Sequence, residues 1–346
     1  MPAGSPVRVL IVDDSAFVRK ALLRIFETEP SIEVVGAARN GREALEQALS
    51  LRPDVVTLDI MMPVMDGLET LKALMERYPV PVLILSQFTH EGAELTLKAP
   101  ELGAMDFVDK SSKSLMDFLS LEAEIIGKVK ALANNRPKTL ISEPGVLSGY
   151  GSRGLVDAVA IGASTGGPPA LHMILEKLPA ETRFAILVVQ HMPKGFTAPL
   201  AERLDKTCAI RVKEAEDGDR VEPGLALVAP SGMHMKISDS LQGRGKQKGV
   251  KLDPEPRDLI HKPSVDVLFR SVAENYGRRS MGVILTGMGA DGAAGMKEIK
   301  RKGGVTLAQD EATSVIFGMP KVAINSGVVD KVVSLPDMTM EILKRS

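Results

Sequence analysis

Short continuous runs of Val, Ile and Leu recur along the chain and alternate with longer stretches in which apolar residues return every three or four positions. Between residues 7 and 132 the runs are VRVLIV, IEVVG, DVVTLD, VLILS and MDFVD. Helical periodicity follows each one, starting from Ser15, from Gly41, over Gly67 to Tyr78, over Glu91 to Leu102, and near Ser114 to Leu132. Uninterrupted β-branched runs suit strands buried on both faces, so the pattern predicts a doubly wound parallel sheet. Further strands are expected near 157 to 162, 184 to 190, 225 to 229, 281 to 286 and 304 to 308, which predicts a second α/β parallel-sheet domain. The stretch 133 to 153, ANNRPKTLISEPGVLSGYGSR, loses the periodicity and reads as a linker. The expected organisation is therefore a domain over 1–132, a linker over 133–153 and a domain over 154–346. Within the latter, the basic, Gly-rich QGRGKQKGVKLDPEP is expected to tip a β-hairpin insertion.

Composition narrows the classes. Residues 1 to 130 hold 14 Lys and Arg against 20 Asp and Glu, and the remainder holds 29 against 24. The positive second half suggests an acidic partner, although ordinary surface variation produces shifts of this size. Nucleic acid is not expected as a partner: aromatic residues make up 3% of the chain, and neither a long basic helix nor a zinc-finger spacing occurs. One cysteine, Cys208, excludes an intramolecular disulfide framework and a Cys-rich metal site, which fits a reducing compartment. The N-terminal MPAGSPVR lacks a signal-like apolar core, and no apolar run approaches the ~18 residues of a membrane span. A cytoplasmic location without direct membrane insertion is expected.

In the first domain Asp13 and Asp14 follow the first strand, Asp59 ends the third, Ser86 ends the fourth and Lys110 follows the fifth. In a sheet of order 2-1-3-4-5 those ends are neighbours. Any one strand-end Asp could simply cap a helix. Three carboxylates gathered together instead favour a hard cation such as Mg²⁺, with Lys110 and Ser86 placed to meet a phosphoryl group. With the MMPVMDG turn, these residues resemble the receiver domain of two-component response regulators over about 7 to 132. The resemblance implies a flavodoxin-like fold and phosphorylation of Asp59 by a histidine kinase. It further implies Mg²⁺ held by Asp13, Asp14 and Asp59, and a switch at Ser86 and Lys110. Two departures stand out: Ser111 stands where the family usually has Pro, and Pro100 interrupts the fourth helix.

In the second domain a Ser, a His and an Asp each follow a strand-like run: DAVAIGAS ends at Ser164, FAILVVQH at His191, and MGVILTGMGAD at Asp291. Ligands bind beyond the carboxyl ends of parallel strands, so the three can share one crevice. Gly162 to Gly166 fits G-x-S-x-G, whose small residues allow a sharp turn that exposes a hydroxyl. Thr165 and the backbone N–H groups at the following helix start can face or support a developing oxyanion. His191 is the expected base and Asp291 its orienting carboxylate. His261 is the second candidate base, whereas His90, His172 and His234 are expected to be structural or exposed. The glycine spacing and the lack of GxxxxGK[ST] disfavour dinucleotide and P-loop sites.

GASTGGP, QHMP, HKPSVDVLF, TGMGADG and ATSVIFGMP together resemble the catalytic domain of the CheB family of chemotaxis protein-glutamate methylesterases, from about 155 to 343. The resemblance implies hydrolysis of glutamate methyl esters on methylated chemoreceptors, releasing methanol, with deamidation of receptor glutamines as a related activity. It places Met288 in the segment of the oxyanion site and implies no cofactor for the esterase. The receiver is then expected to cover the triad crevice until Asp59 is phosphorylated. Two alternatives stand beside this reading: a non-catalytic adaptor of the same fold, and a DNA-binding response regulator.

Overall fold

The computed structural model describes residues 5–87, 95–111, 118–133, 156–239, 247–259 and 261–345. The chain divides into two compact units at residues 139 and 140. The expected linker lies almost wholly outside the described residues.

The first unit is a five-stranded parallel sheet of order β2-β1-β3-β4-β5, formed by β1 (Val7–Val12), β2 (Ile32–Ala38), β3 (Val55–Asp59), β4 (Val82–Ser86) and β5 (Asp106–Asp109). Helices α1 (Ala16–Glu27), α2 (Gly41–Leu51) and α3 (Gly67–Arg77) start where polar side chains satisfy free backbone donors. Ser15 accepts from Val18 N, Asn40 accepts from Glu43 N, and Asp66 forms a capping box with Glu69. The apolar stripe of α1, Val18, Ala21, Leu22, Ile25 and Phe26, is buried. The expected helix from Glu91 is helical over 95–98 and then tightens into a 3₁₀ turn over Ala99–Leu102, at Pro100, which has no N–H to continue an α-helix. Residues 91–94 lie outside the described residues. The last helix, α4, spans Glu122–Ala133, residues 118–119 before it are also helical, and 112–117, with the expected start at Ser114, lie outside the described residues.

The second unit is built on β6 (Ala158–Ala163), β7 (Ala185–Gln190), β8 (Arg211–Glu214), β9 (Leu225–Val228), β12 (Ser280–Ile284), β13 (Val305–Gln309) and β14 (Lys331–Val333), a seven-stranded parallel sheet of order β14-β13-β12-β6-β7-β9-β8. The five expected strands form its centre. Edge strands β8 and β14 carry no long apolar run because each buries a single residue, Val212 and Val333. Helices α5 (Gly167–Leu175), α6 (Thr197–Thr207), α7 (Val265–Tyr276), α8 (Ala293–Arg301), α9 (Met319–Asn325) and α10 (Leu335–Leu343) complete the unit. Strands β10 (His234–Asp239) and β11 (Lys248–Asp253) pair antiparallel as a separate hairpin. The expected tip is thus partly strand: KGVKLD pairs with β10 and buries Val250, while 240–246 lie outside the described residues. The hairpin is fastened to α7 by Ser271 Oγ, which accepts from Ile237 N at 2.6 Å, and by Asn275 Nδ2, which donates to Ile237 O at 3.0 Å.

Candidate active site

Strands β12, β6 and β7 are adjacent, with β6 in the middle. The chain leaves β6 and turns to one neighbour early and to the other late, which makes their carboxyl ends a topological switch point. Ala163 is in register with Gln190, so the next residues, Ser164 and His191, leave neighbouring strand ends side by side. Their backbones extend the ladder: His191 N donates to Ala163 O at 3.0 Å and Ser164 N to Thr286 O at 3.1 Å. After Ser164 the turn passes through Gly166 at φ 77, where a Cβ would also meet Val315 at 2.5 Å. On the other side a Cβ at Gly287 would come within 2.8 Å of Ser164 Cβ. Glycine is required at both points for the turn around Ser164 to close.

His191 Nε2 lies 2.9 Å from Asp291 Oδ2, and both side chains are largely buried. Asp291 stands seven residues past the end of β12, on the loop into α8, rather than at the strand end itself. Its reach is set by the amino terminus of α7. Ser264 Oγ donates to Oδ1 at 2.9 Å, Asp266 N to Oδ1 at 3.0 Å and Val265 N to Oδ2 at 2.7 Å. Burial alone would raise the Asp291 pKa, but the His191 hydrogen bond and charge, followed by the Asp266 and Val265 N–H groups, hold it at about 2. An ionised Asp291 fixes the His191 proton on Nε2. Nδ1 is then the lone-pair nitrogen, and it is buried with no hydrogen-bond partner among the described residues. No hydrogen bond joins Ser164 Oγ to His191 there, as is common before substrate tightens such a site.

The depressed Asp291 pKa carries a stability consequence. Protons bind the unfolded Asp near its ordinary value of 3.8 but the folded one only near 2, so this contribution is complete above about pH 4 and is lost as pH falls toward 2. It amounts to roughly 2 kcal/mol. Asp291→Asn is expected to flatten the acid limb of stability between about pH 4 and pH 2, read by urea titration at several pH values.

The remaining histidines separate cleanly. His261 stacks on the His191 ring, with centroids 4.1 Å apart and planes 17° from parallel. It is thus a neighbour of the expected base, while the carboxylate partner belongs to His191. His234 is fully buried: Nδ1 accepts from Ser264 N at 3.1 Å and Nε2 donates to Pro256 O at 3.1 Å. His172 meets Thr207 Oγ1 at 3.1 Å beyond the crevice, and His90 lies outside the described residues. Thr165 is buried and its carbonyl accepts from Thr286 Oγ1 at 2.9 Å. Met288 is 43% exposed, on a loop clamped by Gly287 N donating to Ile316 O and by Gly318 and Met319 N donating to Gly287 O.

In the first unit the expected cluster also assembles. Asp13, Asp59, Ser86 and Lys110 are buried and Asp14 is exposed. Lys110 Nζ lies 2.6 Å from Asp13 Oδ2 and 2.8 Å from Asp59 Oδ2. Burial raises the Asp59 pKa against the opposing pull of Lys110, and the Asp13 charge raises it further. One oxygen each from Asp13, Asp14 and Asp59 can be taken within 4.8 Å of one another, a hard-oxygen set that fits Mg²⁺. Ser86 Oγ donates to Gln87 O at 3.4 Å. The Ser111 departure has a local use: its N–H donates to Asp109 Oδ1 at 2.9 Å, a bond proline could not make.

Comparison with known proteins places both units. The response regulator receiver domain family matches residues 9–117, and the CheB methylesterase family matches residues 159–342. The chain belongs to the CheB methylesterase family. Membership makes it an ester hydrolase with a receiver domain. A protein-glutamate methylesterase/protein-glutamine glutaminase of Pyrococcus abyssi is 47% identical over 340 residues, covering 96% of this chain and 91% of that protein. The Archaeoglobus fulgidus protein of the same designation is 47% identical, covering 98% and 97%. Among solved structures, the Thermotoga maritima CheB methylesterase catalytic domain superposes with a TM-score of 0.53 at 40% identity, covering 55% of this chain and 99% of that one. No helix among the described residues is long and apolar enough to cross a membrane.

Asp266, at the start of α7, joins the network around Asp291 without a signal in the sequence that places it there. Asp266 Oδ1 accepts from Gly292 N at 3.0 Å and Gly295 N at 2.6 Å, while Asp291 accepts from the start of α7, so α7 and α8 cap each other. The Ser264-Val265-Asp266 order before an apolar helix is a start signal, but nothing in it says which carboxylate the helix will face.

Proposed function

We propose that this chain hydrolyses glutamate methyl esters on methylated chemoreceptors, releasing methanol, through Ser164, His191 and Asp291. The observation that supports it most is the buried His191–Asp291 pair emerging beside Ser164 from adjacent strands. His191 Nδ1 takes the Ser164 proton as Oγ attacks the ester carbonyl, and Asp291 stabilises the imidazolium that forms. Backbone donors near Thr165 and Met288 receive the developing oxyanion. Collapse of the adduct breaks the C–O bond to the methoxyl group, and the proton on Nδ1 leaves with it as methanol. Water then attacks the acyl-Ser164 ester by the same proton path and frees glutamate. Receptor glutamine would pass through the same steps with ammonia as the leaving group.

Asp59 is the proposed acceptor of a phosphoryl group from the chemotaxis histidine kinase. Asp13, Asp14 and Asp59 would hold Mg²⁺, whose charge lets a phosphoryl group approach a cluster of carboxylates. Lys110 then turns from Asp13 toward the phosphoryl oxygens and Ser86 donates to them. This exchange releases a restraint that the receiver places on esterase turnover. Moving such an equilibrium from 1:99 to 99:1 takes about 5.5 kcal/mol, so a few charge-assisted contacts produce a large, partial release. Methanol release from methylated receptor should therefore occur without phosphodonor and rise when acetyl phosphate and Mg²⁺ are added. Absence of methanol under both conditions would remove the esterase reading; equal rates with Asp59 demonstrably phosphorylated would remove the regulation.

A further inference from the structure

Gln190, the last residue of β7, directly precedes His191 and is in register with Ala163, the residue before Ser164. Its side chain is 2% exposed. Nε2 donates to Ser164 O at 2.9 Å and to His191 O at 3.0 Å, so one amide nitrogen ties the backbones of both residues together. The other end of the amide is a liability. Oε1 is buried and has no hydrogen-bond partner among the described residues. It is pressed against the start of α5, where a Cβ on Gly167 would come within 1.8 Å of it. Reversing the amide would be worse, because Oε1 would then face two carbonyl oxygens and the NH₂ would have no acceptor.

An orphaned buried carbonyl destabilises a fold; an apolar side chain of the same length would remove it, at the cost of the donor that Ser164 O and His191 O now share. The chain nonetheless carries glutamine here. We infer that Gln190 is a positioning residue for ester hydrolysis, holding Ser164 and His191 in register through their carbonyls at the expense of an unsatisfied Oε1. The inference rests on the assignment of Ser164 and His191 proposed above. The backbone ladder between the two strands runs on to the bond from His191 N to Ala163 O, and one residue further the Gln190 amide joins the carbonyls of Ser164 and His191. Small displacements of a nucleophile relative to its base lower the rate of the chemical step far more than they weaken binding of a large substrate.

Gln190→Met separates this role from a purely structural one. Methionine matches the shape, removes both donors and removes the orphaned acceptor. In the full-length protein, kcat for methanol release from methylated receptor is expected to fall about 10-fold or more with KM little changed, a loss of transition-state stabilisation alone. The thermal midpoint should move by only a few degrees, because loss of the orphaned acceptor offsets loss of the donor to Ser164 O and His191 O. Ser164→Ala is measured alongside. An unchanged kcat in Gln190→Met, with Ser164→Ala inactive, overturns the inference and leaves the triad assignment standing. A midpoint that falls in step with activity, or failure to fold, also overturns it by making Gln190 an ordinary core residue. Turnover that survives in Ser164→Ala removes the assignment itself and the inference with it.

Discussion

Replacing Ser164 by Ala is expected to lower kcat/KM for methanol release by about 10³-fold or more while the thermal midpoint stays near that of wild type. The loss is large because the hydroxyl supplies the bond-forming atom, and no neighbouring group can substitute for it. The small structural effect follows from the surroundings. Ser164 is held by its backbone, with N donating to Thr286 O and the carbonyl accepting from Gly167 N and Gln190 Nε2, and all three bonds survive the substitution. His261 is the alternative base, but it stacks on His191, whereas the hydrogen bond to the Asp291 carboxylate is made by His191. His191→Ala is therefore expected to match the Ser164→Ala loss.

The second large effect belongs to the receiver. Asp59→Asn is expected to abolish phosphoryl labelling by acetyl phosphate, and chelation of Mg²⁺ is expected to do the same to the unaltered protein. The amide lacks a nucleophilic carboxylate oxygen, and without the cation the charges of Asp13, Asp14 and Asp59 repel an incoming phosphate. Lys110 lies against both Asp13 and Asp59 but supplies only one positive charge. Intact-mass analysis of both samples checks this; a phosphoryl adduct on the Asn variant at the wild-type level would place the acceptor elsewhere.

Much of this architecture is written locally. The Val, Ile and Leu runs of β1, β3, β4, β6, β7 and β12 mark buried parallel strands, and the proposed site residues Asp13, Asp59, Ser86, Ser164 and His191 stand at or just past their ends. Elements whose stability comes from one buried residue per turn or strand are less legible. Strand β14 buries only Val333, and β8 only Val212, so neither produces a run. Asp291 was legible by its place after β12, yet its actual distance from that strand reflects α7, whose Ser264, Val265 and Asp266 donors pull the carboxylate toward His191. Gln190 and His234 were not legible as parts of the site. Their partners lie on separate elements, in the case of His234 and Ser264 thirty positions apart, and composition at either end carries no trace of the pairing.

Ser164 and His191 are proposed to act as one unit oriented by Asp291. Residues that act together lose their joint effect when either is removed, whereas independent contributions multiply. The most direct measurement is methanol release from methylated receptor by the two single variants and by the double variant Ser164→Ala with His191→Ala, all in the full-length protein with phosphodonor. The double variant is expected to be no slower than the slower single one within experimental error. A double variant slowed by the product of the two single losses, about 10⁶-fold if each is 10³-fold, would contradict it.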